Sequence, residues 1–443
     1  VCGGQSITVK RGNYRYDLGP HNIHSERDSV IDFLKKNAGK DFVKHKYRSQ
    51  IYFRGHRINY PLTGVDVLRS INLLTAFGCG LSFIWAHFVS FFIPSFRDDG
   101  SYEKWIVNRF GRKFYNIYFG PYSDKVWKIH PSKISDIVAK KRIAVSGILE
   151  LIHSIFFKKQ TYHPENPELI DNHYHQDGVG AISDFFEKGI IEGGGRIIKE
   201  ATVEKIEVVK SKIKKIYYSK QGRTECLQAG EEDGHDLEVL SSIPVNEMIL
   251  MLDADVPENV KEAAQGLDFT SEVFLFLDVK KPDIFKISLL YFSEPEFPFN
   301  RAYDVGIFSR RMVPEGKNAL CLEVSCNYDD DMWKADDEQI FEKCILPLEK
   351  HNLLNRQDIE NYHTKRLKHA YPRFRVGYED KLKAIFDYLF TIRNLTSFGR
   401  EGLFTYANVD DVIWMGFEVA KNVAYNNRIK LSIKELLPNY ISF

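Results

Sequence analysis

The chain has 443 residues, with 61 Lys and Arg set against 60 Asp and Glu and a net charge of +1. So balanced a chain has no polyelectrolyte character, which argues against nucleic acid as a partner. Its length supports sizeable cores and two or three domains. The 32 Phe and 23 Tyr suit either a large internal cavity or a densely filled core. Six cysteines, Cys2, Cys79, Cys226, Cys321, Cys326 and Cys344, make no CxxC pair and no regular framework, so reduced thiols and a cytoplasmic setting are expected.

In chain order, residues 1–24 read as an extended loop, a strand and a turn, after which Ser25 is placed to cap a helix carrying Val30, Ile31, Phe33 and Leu34 on one face. A hairpin follows, with Ile51 to Phe53 and Arg57 to Pro61 turning at Gly55. From Val67 to Phe96 the chain is strongly apolar, but Gly78 and Gly80 interrupt it. Only about 15 continuous apolar residues remain, against the roughly 20 needed to span a bilayer. A helical hairpin over Val67 to Ile93, buried or lying on a membrane surface, is therefore expected rather than a span.

Helical patterns over Ser101 to Gly111 and Ser132 to Arg142 flank the segment Phe119-Gly120-Pro121-Tyr122-Ser123-Asp124-Lys125-Val126-Trp127, and Tyr162 to Asp177 is a polar connector. His153, His163, His173 and His175 lie in or near that connector, with no carboxylate or cysteine ligand pattern beside them, so no metal site is expected. A helix through Ile182, Phe185, Phe186 and Ile190 ends at Gly193-Gly194-Gly195, followed by strands at Ile197 to Val209 and Ile213 to Tyr218. Strands are then expected at Val273 to Val279, Ile287 to Phe292, Val305 to Ser309 and Ala319 to Ser325, an antiparallel meander. Helices are expected at Glu338 to Leu353, Arg356 to Tyr362 and Glu379 to Phe390.

The most informative stretch is Phe398-Gly399-Arg400-Glu401-Gly402-Leu403-Phe404-Thr405-Tyr406-Ala407-Asn408-Val409-Asp410-Asp411. Two glycines around an arginine permit close backbone approach to a ligand, Phe404 and Tyr406 alternate as in a short strand, and Asp410 stands where a helix N-cap belongs. A helix entered this way presents unpaired N–H groups suited to a phosphate, a ribityl hydroxyl or an electron-rich ring edge. Arg301, Arg310 and Arg311 are candidates for binding an anionic group, with solvated strand ends an equal reading for the last two.

In order along the chain, Gly3-Gly4-Gln5-Ser6-Ile7-Thr8, then Asp17-Leu18-Gly19-Pro20-His21, then the stretch from Gly399 to Asp411 resemble motifs of the flavin-dependent amine oxidase superfamily. The branch resembled contains UDP-galactopyranose mutases and protoporphyrinogen-oxidase-like proteins. Phe119 to Trp127, Ser242-Ile243-Pro244 and the run from Phe299-Asn300-Arg301 to Ala319-Leu320-Cys321-Leu322-Glu323 extend the resemblance across nearly the whole chain.

The resemblance implies an α/β fold of mixed α+β character: an FAD-binding Rossmann-like domain from residues 1–60, 178–250 and 392–443, a helical insertion at 61–177, and an antiparallel-sheet substrate domain at 251–391. FAD would be held by Gly3, Gly4, Ser6, Thr8, Gly19, His21, Val203, Gly399, Arg400, Gly402, Asp410 and Asp411, with Val203 by the adenine. His21 would lie near the isoalloxazine and Arg301 would face the substrate, making these two the catalytic candidates. Superfamily members open with a GxGxxG strand-turn-helix that this chain lacks, so the resemblance implies an N-terminal truncation of roughly 35 to 40 residues. Gly193-Gly194-Gly195, between a helix and a strand, is no substitute.

The expected activity is FAD-dependent oxidation of a small molecule such as an amine or a lipid. The alternatives are mutase-like isomerisation of a nucleotide sugar by reduced flavin, and a flavin-free remnant. The segments Tyr174 to Ile191 and Phe299 to Glu323 look closer to the protoporphyrinogen-oxidase-like branch.

Overall fold

The computed structural model describes residues 2–25, 27–60, 73–92, 98–142, 172–228, 231–232 and 235–425. Its N-terminal part holds a hairpin of β1 (Thr8–Arg11) and β2 (Tyr14–Asp17), helix α1 (Asp28–Asn37), strand β3 (Phe42–Lys44) and the hairpin of β4 (Ser49–Phe53) with β5 (His56–Asn59). That second hairpin turns through Arg54 and Gly55, both at positive φ, as the glycine there leads one to expect. The α1 helix buries Val30, Ile31 and Leu34. Its N-cap is Arg27 rather than Ser25, although the Ser25 hydroxyl accepts the Arg27 N–H at 3.1 Å.

Helix α2 (Leu73–Phe92) follows, then α3 (Tyr102–Phe110) and α4 (Gly120–Trp127). Gly78 and Gly80 do not break α2, which runs for 20 residues without an acidic residue in its first turn or a basic one in its last. The rest of the apolar run, residues 61–72 and 93–97, lies outside the described residues. Leu74, Phe77, Leu81, Ile84, Trp85, Phe88 and Phe92 are exposed on α2. No helix among the described residues is long and apolar enough to cross a membrane.

Strand β6 (His173–His175) pairs antiparallel with β3. His153 and His163 lie outside the described residues, and His173 stacks on Phe42 with centroids 5.3 Å apart. Helix α5 (Gly180–Glu192) ends at the glycine triplet as expected. A four-stranded sheet comes next from β7 (Ala201–Val209), β8 (Lys212–Lys220) and β9 (Arg223–Gln228), with the short β10 (Leu252–Asp253) parallel to β7.

The largest sheet has seven strands. To β4 and β5 it adds β11 (Phe269–Val279), β12 (Leu289–Phe292), β13 (Arg301–Asp304), β14 (Asn318–Cys326) and β15 (Ile359–Pro372), in the spatial order β15-β11-β14-β13-β12-β4-β5. Every pairing is antiparallel except β12 with β4. The sheet thus draws two strands from the segment before residue 60 into the same layer as residues 269–372, across the boundary set by the sequence.

Strand alternation divides β11 between two cores. Val273, Leu275, Leu277 and Val279 face one core with Ile340, Phe341, Cys344 and Ile345 of α6 (Asp337–Lys350), while Phe274 and Phe276 face another with Tyr16 and Tyr303. Glu272 shares the parity of Phe274, and on β14 Glu323 shares that of Cys321 in the second core. Both carboxylates therefore lie on the side of the sheet away from α6.

The remaining elements are helix α7 (Tyr378–Leu389), a short strand at Leu395–Ser397 parallel to Val239–Ser241, and the final helix α8 (Val409–Ala424).

Three local expectations fail. Val305 to Ser309 is a helical turn, Val305–Phe308, rather than a strand: Gly306 donates its N–H to the Asn318 side chain at 2.9 Å instead of to a ladder. Arg356 to Tyr362 is helical only for the single turn Arg356–Asp358, and from Ile359 it becomes β15, the longest strand. Because β15 is an edge strand carrying outward charges such as Lys365 and Lys368, its apolar pattern was too diluted to read. Phe404 and Tyr406 are not in a strand either. Phe404 has φ +52°, and the strand ends earlier, at Ser397.

Candidate functional site

A cavity of about 990 Å³ opens where three distant parts of the chain meet. The N-terminal loops contribute Gly3 to Ser6 and Leu18 to Asn22; the sheet contributes Glu272, Phe274, Arg301 and Tyr371; the C-terminal stretch contributes Phe398 to Glu401, Asn408, Val409 and one face of α8 through Gly416 and Phe417. Of the residues expected at a site, Gly3, Gly4, Ser6, Gly19, His21, Arg301, Gly399 and Arg400 line it.

The other five do not. The Thr8 hydroxyl donates to Asp17 at 2.6 Å and accepts the Gly180 N–H at 2.8 Å, so it ties the N-terminal hairpin to α5. Val203 lies in β7, packed against the core of helices and the small sheet. Gly402 closes a helical turn against Ser397, whose hydroxyl donates to its carbonyl at 2.8 Å. Asp410 and Asp411 are buried beneath the rim and face Arg27, at 3.8 and 2.8 Å. Arg310 and Arg311 are surface residues outside the cavity, Arg311 pairing with Asp41 at 2.8 Å and Asp177 at 2.6 Å.

Asp410 is not the cap of α8. That position belongs to Asn408, which makes a capping box with Asp411. Burial raises the Asp410 carboxyl above its usual range and the neighbouring Asp411 raises it further, while a hydrogen bond from Ser25 opposes them.

Behind the N-terminal loop Asp17 and Gln5 are satisfied. Asp17 is fully buried and accepts from Thr8, from the Val179 N–H and from the Tyr174 hydroxyl at 2.5 Å. Burial lifts its pKa to about 6 in spite of these donors. Gln5 bridges the two ends of the chain, donating to the His369 carbonyl at 2.8 Å and the Glu401 carboxylate at 2.6 Å.

The cavity wall is different, because its donors are not all used. Arg400 is fixed by the carbonyls of Ala407 and Ala370, each 3.2 Å away, and its guanidinium sits 4.9 Å from the Tyr371 ring. Arg301 donates to the Tyr371 hydroxyl at 2.5 Å and pairs with Glu323 at 2.6 Å. The Nε atoms of both arginines and Nδ1 of His21 are buried without a partner in the protein. Burial, then Arg400, then Arg301 depress His21 to a pKa of about 4, so it is neutral at physiological pH.

Gly19, at φ +92°, passes directly over Glu323: a Cβ there would lie 3.4 Å from Oε1. Gly399 has φ +80° and starts the helical turn that carries Arg400.

Glu272, Glu323 and Tyr371 were missed as site residues. Glu272 and Glu323 had a readable signal: Glu323 is the one carboxylate of Asn318–Cys326, and Glu272 is one of two, with Asp278, in the largely apolar Phe269–Val279, where an unpaired charge is costly and therefore rarely idle. Tyr371 had none, since nothing in the Ala370-Tyr371-Pro372 run distinguishes it from a core aromatic.

No family model matches the chain. Among solved structures it is similar to a reduced UDP-galactopyranose mutase, at 20% identity and TM-score 0.80 over 98% of this chain and 88% of that one. It is also similar to a provisionally assigned protoporphyrinogen oxidase from Exiguobacterium sp. 255-15, at 13% identity and TM-score 0.62 over 89% and 84%. A third similar structure is putrescine oxidase bound to putrescine, at 14% identity and TM-score 0.57 over 96% and 91%. At such identities the likeness is one of fold.

Proposed function

Since the chain has the fold of the flavin-dependent amine oxidase superfamily, we propose that it is an FAD enzyme whose cavity takes an anionic small molecule, of the nucleotide-sugar type, for isomerisation. The observation that carries this reading is the convergence of two half-buried guanidiniums, Arg301 and Arg400, on a cavity that also holds a neutral histidine.

The residues present fit a flavin. The buried Nε donor of Arg400 and the buried Nδ1 of His21 lack partners within the protein, and a volume of about 990 Å³ stands at the upper end of small-molecule sites, room for a flavin ring and a substrate together. Gly3, Gly4, Ser6, Gly399 and Arg400 would hold the cofactor, which when bound supplies the electron or hydride chemistry. Arg301 would take the substrate's anionic group through its fork of donors, oriented by Glu323 and Tyr371. His21, uncharged, would offer or accept a single hydrogen bond without adding to the positive field. The apolar face of α2 lies outside this cavity.

Net oxidation of an amine is the competing reading. The two arginines weigh against it, because an ammonium substrate would enter a positive field where Coulomb repulsion is poorly screened. The test is to load the protein with FAD and assay it twice. Turnover of a UDP-sugar only after dithionite reduction supports isomerisation. Bleaching of the flavin by putrescine or another amine, with UDP-sugars inert under both conditions, overturns it in favour of an oxidase.

A further inference from the structure

Two carboxylates lie diagonally across adjacent strands of the sheet that floors the cavity, Glu272 opposite Ser325 and Glu323 opposite Phe274. Glu272 is 1% exposed and Glu323 is 0% exposed, on the adjacent antiparallel strands β11 and β14. Between them they have one close cation, Arg301, and it is committed to Glu323 at 2.6 Å. Glu272 receives only neutral hydrogen bonds, from Ser325 at 3.2 Å and Asn300 at 3.4 Å. Two like charges buried beside one guanidinium cannot both be stable, so one carboxyl keeps its proton. The ion pair assigns the ionised state to Glu323 and leaves the proton on Glu272.

The consequence is a matter of counting. With Glu272 neutral, Arg301 and Arg400 face two carboxylates, Glu323 beside Arg301 and Glu401 at the rim beside Arg400, so the two guanidiniums are not outnumbered. Ionised, Glu272 adds a third carboxylate against two guanidiniums. We propose that Glu272 is a specificity-determining residue of this cavity: as a carboxylic acid it leaves the two guanidiniums able to accept an anionic ligand group, and as a carboxylate it makes the cavity net negative and closes it to anions. This rests on the anion-site reading of the proposed function and deepens it.

Supporting this, burial and then Glu323 raise Glu272 to about 8. The groups facing it from the surrounding strands are Glu323, Arg301, Tyr371, Cys321 and Cys326. Burial, first among the causes, holds Tyr371 up at about 12, as it does Cys326, and keeps Cys321 well above its usual value. His21, at about 4, is already neutral. Glu272 is thus the group in this set with its transition near pH 8.

The test is calorimetric titration of the FAD-loaded protein with UDP between pH 7 and pH 9, on the wild type and on Glu272→Gln. The amide keeps the shape and one donor but cannot ionise. The expected result is a wild-type Kd that rises above about pH 8 and approaches a tenfold loss per pH unit, with Glu272→Gln constant within about twofold. A wild-type Kd that is flat over the same range, or a Glu272→Gln profile that falls in parallel with the wild type, overturns the proposal while leaving the anion site standing. If UDP binds at no pH, the anion-site reading fails and this one with it. Should Glu272→Gln not fold, the wild-type profile still decides.

Discussion

Arg301 with Glu323 and Lys215 with Glu207 are the same motif in two sheets: a basic and an acidic residue directly opposite each other on antiparallel strands. The first pair, at 2.6 Å, has side chains 22% and 0% exposed; the second, at 3.5 Å, has side chains 36% and 24% exposed. In the seven-stranded sheet the pair is walled in by β11 and the N-terminal loop, so removing one member strands a charge away from water. In the small sheet water replaces whatever is removed. Register sets up both pairs, and burial alone decides which one can carry function.

The largest expected effect follows directly. Glu323→Ala leaves Arg301 buried without its partner and is expected to cost about 3–5 kcal/mol in urea denaturation. A loss under about 1 kcal/mol would show that the guanidinium finds another partner or water.

Next is a pH effect with an unusual sign. Native Glu272 keeps its proton up to about pH 8, whereas an unfolded glutamate releases it near 4.5. The unfolded state therefore binds fewer protons in that window, and this residue's contribution to stability falls as pH rises from about 4.5 to 8. His21 works oppositely: depressed to about 4, it favours the native state as pH rises through the window from about 4 to 6.5. Subtracting the Glu272→Gln denaturation profile from the wild-type profile isolates the first effect, and a wild-type stability that does not decline relative to the variant between pH 6 and 8 would contradict it.

Smaller changes should map the rim and the surface. Asn408→Ala removes the cap and half of the capping box of α8, for which about 1 kcal/mol is expected. Glu207→Ala should change stability by about 0–1 kcal/mol and respond to salt, as exposed pairs do. If Glu207→Ala cost as much as Glu323→Ala, burial would not be the deciding variable.

Much of this architecture was legible in the sequence, for reasons that differ by region. Within the strands Phe269–Val279 and Asn318–Cys326, the stretches Val273 to Val279 and Ala319 to Ser325 announced themselves as apolar runs because both faces are covered, and α1, α5 and α7 showed clean helical periodicity. The glycine-bearing segments at 3–6, 19–21 and 399–400 do meet at one cavity. What could not be read was which motif members turn inward. Thr8, Gly402, Asp410 and Asp411 satisfy neighbours in the protein instead of lining the cavity, and spacing along the chain carries no information about side-chain direction across it. The edge strand Ile359–Pro372 was hidden by its own surface charges.

The most direct test of the central claim, that this cavity selects an anion, is equilibrium binding of two ligands of opposite charge to the FAD-loaded wild-type protein at pH 7. Calorimetry with UDP and with putrescine under identical salt answers it. The account expects UDP to bind, more weakly as salt rises, and putrescine to give no saturable heat; saturable putrescine binding with no response to UDP would contradict it.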